Sequence, residues 1–212
     1  MDKTILKLAE TIQSREAPGA KEGVYHKSQE QSAAMTTRFG IDMTRFPKND
    51  GESDIAHFQR TYSTFQPVHQ AAAKKLSKAD PNELLKVIWN TGIGSKPSIA
   101  LTNADMSTPV GRNKLFASIN SYVGVQEKGG SYWSAGLVKA RAKDWNAIAK
   151  AYAPDQVISD IKVYKQKDSS GKELVMRQYL NSKGQVLRTM YNKKPLAPSN
   201  KNVIGTTIKI GG

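Results

Sequence analysis

The sequence contains no cysteine, only three histidines, and no long uninterrupted run of apolar residues. Without cysteine, a disulfide scaffold, a cysteine-ligated zinc site and a thiol nucleophile are all excluded. The histidines at positions 26, 57 and 69 lack the spacing of metal ligands, so we expect no metal and no other cofactor. No apolar run is long enough to predict a membrane span.

Several motifs of well-known enzyme classes are also missing. The chain has no glycine-rich phosphate loop of the Walker type, no Gly-x-Gly-x-x-Gly, and no Gly-x-Ser-x-Gly esterase elbow. The amino terminus lacks the apolar core of a signal peptide. We therefore expect the protein to be made in the cytoplasm, and to act outside it only if another system delivers it.

The charge balance is strongly basic. Across 212 residues, 32 Lys and Arg oppose 18 Asp and Glu, which gives a net charge of +14 and a pI near 9.8. Such a surplus attracts polyanions, for example nucleic acid or the anionic envelope of a bacterium. Seven of the fourteen charges lie in residues 155–212, which carry eleven basic and four acidic side chains. A solvated basic surface without a partner is the alternative interpretation.

Apolar periodicity predicts a helical body over the first 150 residues. Helical spacing recurs over 3–16, 54–65, 67–76, 81–91, 109–122 and 134–152. Asp80 to Glu83 is a strong helix start, with Asp80 as N-cap, Pro81 in the first turn and Glu83 completing a capping box. Residues 19–53 indicate loops around one or two short strands, the best of them Met35 to Met43.

After Pro154 the period changes from that of a helix to that of a strand. Residues 157–167, 173–180 and 185–191 alternate, and the turn sequences DSSG and NSKG separate them. A last strand is predicted over 203–210. The prediction is an α+β fold, with a mainly helical domain over 1–153 that includes a small N-terminal β element, and a basic antiparallel β meander over 154–212.

Carboxylates near the first helix are the best candidates for chemistry. Glu16 lies where the helix ends, Glu22 follows it, and Thr37 and Asp42 come after a further loop. A helix-terminal Glu at a cleft edge can stay protonated as an acid, while a second carboxylate with a hydroxyl partner activates water. This is the arrangement used to hydrolyse glycosidic bonds. On spacing alone, solvated surface positions are the favoured interpretation of Glu16 and Glu22.

Four segments, in order, resemble the lysozyme superfamily, especially phage-type muramidases and the pesticin-like lysozyme toxin domain. The first is the amphipathic helix that ends in Glu16. The second is TRFGI over 37–41, which is similar to the family's Thr-x-aromatic-Gly-Ile. The others are VIWNTGIG over 87–94, similar to an endolysin helix end, and GLVKARAKDW over 136–145, similar to the closing helix.

The resemblance implies roles for individual residues. The general acid matches Glu16, although Glu22 in Glu22-Gly23 also fits the phage-type pattern. The water-positioning threonine matches Thr37, with Thr36 as its rival, and a pesticin-type catalytic Asp matches Asp42. The phage-type Asp would instead lie between the Glu and the Thr, where this chain offers only Glu30.

Three further positions complete the expected site. The resemblance puts Asn90 beside the sugar cleft, Arg141 is expected to pair with a carboxylate, and Tyr25 is expected to pack beneath the catalytic loop.

The function implied is cleavage of peptidoglycan glycan strands by a muramidase without a cofactor, as a phage lysin or an antibacterial effector. It would act in the bacterial periplasm or cell wall after delivery. The resemblance also implies an immunity or inhibitor protein in the producing cell. The rival hypothesis is a non-catalytic basic module in which Tyr164, Tyr179 and Tyr191, set among Lys and Arg, bind nucleic acid or a virion or envelope partner.

Overall fold

The computed structural model describes residues 3–16, 19–23, 26–27, 35–127, 130–192 and 195–211. The helices within these residues are α1 (Lys3–Glu16), α2 (Asp54–Lys75), α3 (Pro81–Thr91), α4 (Lys96–Thr102), α5 (Pro109–Asn120) and α6 (Ala135–Tyr152). The strands are β1 (His26–Lys27), β2 (Met35–Thr36), β3 (Gly124–Glu127), β4 (Gly130–Trp133), β5 (Asp160–Lys167), β6 (Glu173–Leu180), β7 (Val186–Asn192) and β8 (Thr207–Lys209). No described helix is long and apolar enough to span a membrane.

The predicted α+β class is confirmed. Strands β5 to β8 form one antiparallel sheet in the order β7-β6-β5-β8, while β1 pairs with β2 and β3 with β4. The two turns predicted within the meander are formed as expected. Asp168 Oδ1 accepts the Ser170 N–H and Asn181 Oδ1 accepts the Lys183 N–H. Each turn closes at a glycine with positive φ, which a residue with a Cβ adopts only with strain.

The helix starts follow their capping sequences. Asp80 accepts the backbone N–H of Asn82 at the start of α3, and Ser134 accepts that of Leu137 at the start of α6. The predicted capping box at Glu83 does not form. Its carboxylate lies 2.6 Å from Lys86 Nζ instead, because a cation one turn along the helix is a stronger partner than a backbone amide.

Several segments differ from the prediction. The two helices expected around Pro67 are one helix, α2, because a continuous buried face on both sides of the proline packs against the core. The strand expected over Met35 to Met43 stops at Thr36, since Thr37 to Ile41 closes into a turn held by backbone hydrogen bonds. Helix α4 and the β3–β4 hairpin were not predicted; both are too short to give a clear period.

One hydrophobic core joins the helices to the C-terminal sheet. Ile161, Val163 and Tyr179 of the sheet are at most 1 % exposed and belong to the same cluster as the core of the helices. Hydrogen bonds from α6 hold the segment that leads into the sheet, because Trp145 Nε1 donates to Gln156 O at 2.8 Å and Asn146 Nδ2 donates to Ile158 O at 2.7 Å.

A buried arginine also ties the sheet to the helical body. Arg177 on β6 donates to Asn120 O at 3.0 Å and to Tyr179 Oη at 2.9 Å. It is 1 % exposed, and burial lowers its pKa from the usual value. The sheet is therefore held in a fixed position against the end of α5.

Candidate functional site

A groove of about 530 Å³ lies between the last turn of α1, helix α3 and the first half of α6. Ser14 of α1, Asn90 of α3, and Gly136 and Asp144 of α6 lie in its wall. Three of the four segments that carry the family resemblance contribute to this groove. The sequence predicted Asn90 as a residue of the binding cleft, and the structure puts it in the wall of an open groove.

Arg141 is a buried residue that donates hydrogen bonds to two side chains of the groove wall. Its side chain is 1 % exposed, and its Nη1 donates to Asp144 Oδ2 at 2.5 Å. Its Nη2 donates to Asn90 Oδ1, and the guanidinium lies 6.0 Å from the centre of the Tyr122 ring. A buried guanidinium with such partners fixes their orientation rather than contacting a ligand directly. The structure thus brings together two predicted binding residues and Asp144, which the sequence analysis did not single out.

For Glu16, the structure describes the backbone but not the side chain. Glu16 is the last residue of α1, two positions after the groove-lining Ser14, and its side chain lies outside the described residues. By helical spacing its position shares a face with Ile12, four residues earlier, which is fully buried. Tyr25 also lies outside the described residues.

The turn that carries Thr37 and Asp42 is compact. Thr37 is 1 % exposed, and its Oγ1 accepts the Phe39 N–H at 3.3 Å. Asp42 is half-buried and its Oδ1 accepts the N–H groups of Thr44, at 2.8 Å, and Arg45, at 3.3 Å. These contacts fix the carboxylate by one oxygen and leave Oδ2 without a partner among the described residues.

This turn is attached to the helix that carries Asn90. Trp89 Nε1 donates to Phe39 O at 2.9 Å, and both rings pack on Phe58, with centroid distances of 4.9 Å and 5.0 Å. Trp89 immediately precedes Asn90. The turn and the groove wall are therefore positioned by adjacent residues of α3.

A charged cluster joins the loops that precede α2 in the chain, and the sequence did not predict it. Asp54, the first residue of that helix, is fully buried and lies 2.8 Å from Lys48 Nζ and 3.6 Å from Arg38 Nε. The Gly23 N–H donates to Asp54 Oδ2 at 2.9 Å, and the Asp54 N–H donates to Glu22 Oε1 at 3.3 Å. Three loop segments are joined at one carboxylate.

The electrostatics keep Asp54 ionised. Burial raises its pKa, but the hydrogen bonds from Lys48 and from the Gly23 N–H, with the charges of Lys48 and Arg38, outweigh it and hold the pKa below its ordinary value. An ionised carboxylate with its oxygens occupied is a structural anchor rather than an acid. Ser53-Asp54, an N-cap followed by an acid, was its one signal in the sequence.

Glu22, the alternative acid, belongs to this cluster. Its side chain is 54 % exposed, and Oε2 lies 3.6 Å from Arg38 Nη2. The predicted site residues with described side chains thus fall into three groups: Asn90 and Arg141 at the groove, Thr37 and Asp42 in the turn after β2, and Glu22 at the Asp54 cluster. Among the described residues, no group of three His, Cys, Asp or Glu side chains is placed to hold a metal ion.

Comparison of the chain with protein families, with curated proteins and with solved structures finds no match.

Proposed function

We propose that this protein is a lysozyme-like glycoside hydrolase that cleaves the glycan strand of peptidoglycan. The observation that carries the proposal is the contact between Asn90, Arg141 and Asp144 beside the groove that the last turn of α1 also lines. These residues come from segments with the motifs and order of that superfamily. Their convergence on one groove is what the proposed activity requires of them.

In this proposal Glu16 is the general acid that protonates the leaving glycosidic oxygen. Glu16 ends the helix whose Ser14 lines the groove, and partial removal of its carboxyl group from water there would keep it protonated. Asp42 directs a water molecule to the anomeric carbon from the opposite face of the sugar. Asn90 binds the sugar, and Arg141 positions Asn90.

The Thr37 hydroxyl, assigned to position the attacking water, is enclosed within its own turn. It is buried and already accepts a backbone N–H, so a water held by it would have to sit inside the turn. Thr36, the alternative, is the last residue of β2 and its side chain lies outside the described residues. The activities of Thr36→Val and Thr37→Val on purified peptidoglycan would distinguish the two residues.

The net charge of +14 supports an anionic wall as the site of action, because it raises the local concentration of the enzyme at that surface. The proposal includes delivery to the bacterial cell wall by another system, as a phage lysin or an effector. An effector of this type implies an immunity protein in the producer.

The decisive experiment compares Glu16→Gln with Glu10→Gln, an exposed carboxylate on the same helix. Glu16→Gln should lower the release of reducing ends from purified peptidoglycan by at least about 100-fold, with an unchanged circular dichroism spectrum. Glu10→Gln should retain full activity. An active Glu16→Gln with an inactive Glu22→Gln would move the acid to Glu22. Mass spectrometry of the products separates hydrolysis from formation of an anhydro sugar, which differs by one water.

The C-terminal sheet exposes fewer tyrosine rings for stacking on bases than its sequence suggested. Of the three tyrosines considered for base stacking, Tyr179 is fully buried against Phe116, while Tyr191 is 52 % exposed. Stacking on a base needs an exposed ring face. Steeply salt-dependent binding of nucleic acid, together with no reducing ends from peptidoglycan, would favour the binding module over the enzyme.

A further inference from the structure

A second groove lies next to the first one, on the side of the C-terminal sheet. It has a volume of about 710 Å³ and lies between α6 and the segment around β5 and β8, with Asp160 and Lys209 in its wall. Glu83 and Lys143 line both grooves. The two grooves are therefore neighbours along α6, and we call them together the trough, which reaches from Asn90 to the edge of the sheet at β8.

One stripe of α6 forms the common side of this trough. Its small residues are Gly136, Ala140 and Ala147, and its cations are Lys139, Lys143 and Lys150. Positions 136, 139 and 143, and positions 136, 140, 143, 147 and 150, are spaced by three or four residues, so all six lie on one helix face. At 1.5 Å per residue this stripe is about 20 Å long. The length suits an extended polymer better than a small ion.

The acidic groups of the trough are already neutralised. Glu83 pairs with Lys86 at 2.6 Å, and Asp160 pairs with Lys209 at 2.8 Å. Asp144 pairs with Arg141.

The lysines of the stripe have no such partners. Within the described part of the chain, Lys139, Lys143 and Lys150 make no ion pair, and all three are exposed. We call these three residues the α6 lysine row. They leave the trough with three uncompensated positive charges along one line.

We propose that the α6 lysine row binds the carboxylates of the peptide stems that branch from a peptidoglycan strand, so that the C-terminal sheet lengthens the substrate site. This inference rests on the proposed function, because the polymer is the proposed substrate. Peptide stems supply carboxylates at intervals along an extended chain, which matches cations spaced along a helix. Nucleic acid fits less well, since none of the described residues that line the two grooves is aromatic and could stack on a base.

The test is a triple variant, Lys139→Gln, Lys143→Gln and Lys150→Gln, measured by co-sedimentation with insoluble sacculi. Its matched control is Lys74→Gln, Lys114→Gln and Lys167→Gln, which removes the same charge from exposed positions elsewhere. The row variant should lower affinity for peptide-bearing peptidoglycan by about tenfold, and the control by about twofold or less. On glycan strands stripped of their peptides, the difference between the two variants should disappear.

Other outcomes would overturn the proposal. Equal losses in both variants would show that overall charge, not the row, holds the polymer. An equal loss on stripped glycan would show that the row binds sugar or another group. Loss of binding to a DNA oligonucleotide, without loss on sacculi, would make the row a nucleic-acid site. Because sedimentation does not depend on cleavage, an enzyme that binds but releases no muropeptides refutes the proposed function alone.

Discussion

Replacement of Asp54 by Asn removes one charge from the centre of the buried cluster and keeps the shape of the side chain. The Asn carbonyl can still accept the Gly23 N–H, but Lys48 and Arg38 lose the carboxylate that lies 2.8 Å and 3.6 Å from them. Removing one partner of a buried ion pair costs about 3–5 kcal/mol. The side chains of these cations are 13 % and 19 % exposed and can turn towards water, so we expect about 2–3 kcal/mol.

This loss is large enough to measure by thermal or urea unfolding at neutral pH. With an unfolding entropy of about 2.1 cal/mol/K per residue, a 212-residue chain loses about 5–7 °C in Tm. The control is Asp50→Asn, an exposed acid in the preceding loop, which should change the free energy of unfolding by less than about 0.5 kcal/mol. A comparably small change for Asp54→Asn would refute the anchor role.

The pH dependence provides a second check on the same residue. The pKa of Asp54 is lowered in the folded protein, so its contribution is complete above the ordinary value of 3.8 and is lost as the pH falls through the folded pKa. The stability difference between the wild type and Asp54→Asn should therefore shrink as the solution is acidified below 3.8. A difference that stays constant into strong acid would mean that the charge of Asp54 is not responsible.

Two further predictions concern packing and protonation. In Gly111→Ala, the new Cβ would lie 2.0 Å from the backbone oxygen of Asp105, which cannot rotate away, so unfolding should become easier by about 2 kcal/mol or more. Gly136→Ala meets nothing closer than 3.5 Å and should leave stability unchanged or raise it by up to about 1 kcal/mol; equal urea midpoints for the two variants would contradict this. Burial lowers the pKa of His57 and of His69 below 6.5, only partly offset by their hydrogen bonds to backbone carbonyls, so both stay neutral when folded. The contribution of the two neutral histidines to folding stability is complete above pH 6.5 and is lost as the pH falls. The Tm should therefore drop between about pH 7.5 and about pH 5.5. A Tm that stays constant over this range would contradict the burial of neutral histidines.

Much of the local structure was predictable because it depends on neighbouring residues. Asp80 followed by Pro81 favours a helix start through local interactions alone, and α3 begins there. The turns at Asp168 and Asn181 form from their own side chains and a following glycine. The α+β class followed from the change of period after Pro154.

The candidate site was predictable only in part. The motifs indicated Asn90 and Arg141 separately, but the two residues are 51 positions apart and no local pattern predicts that they touch. The Asp54 cluster was missed for the same reason, since its carboxylate takes a partner 31 residues earlier in the chain. Pro67 predicted a helix break that the buried face of α2 overrides.

What the sequence determined by itself is therefore the helix starts, the turns, the strand period and the excess of positive charge, all of which depend on residue type over a few positions. Tertiary structure alone decided that Arg141 would be buried under Asn90, that three loops would meet at Asp54, and that the lysines of α6 would border one trough with the C-terminal sheet. The physical reason is that each of these depends on the free energy of contacts between distant segments, and such contacts exist only once the core has brought those segments together.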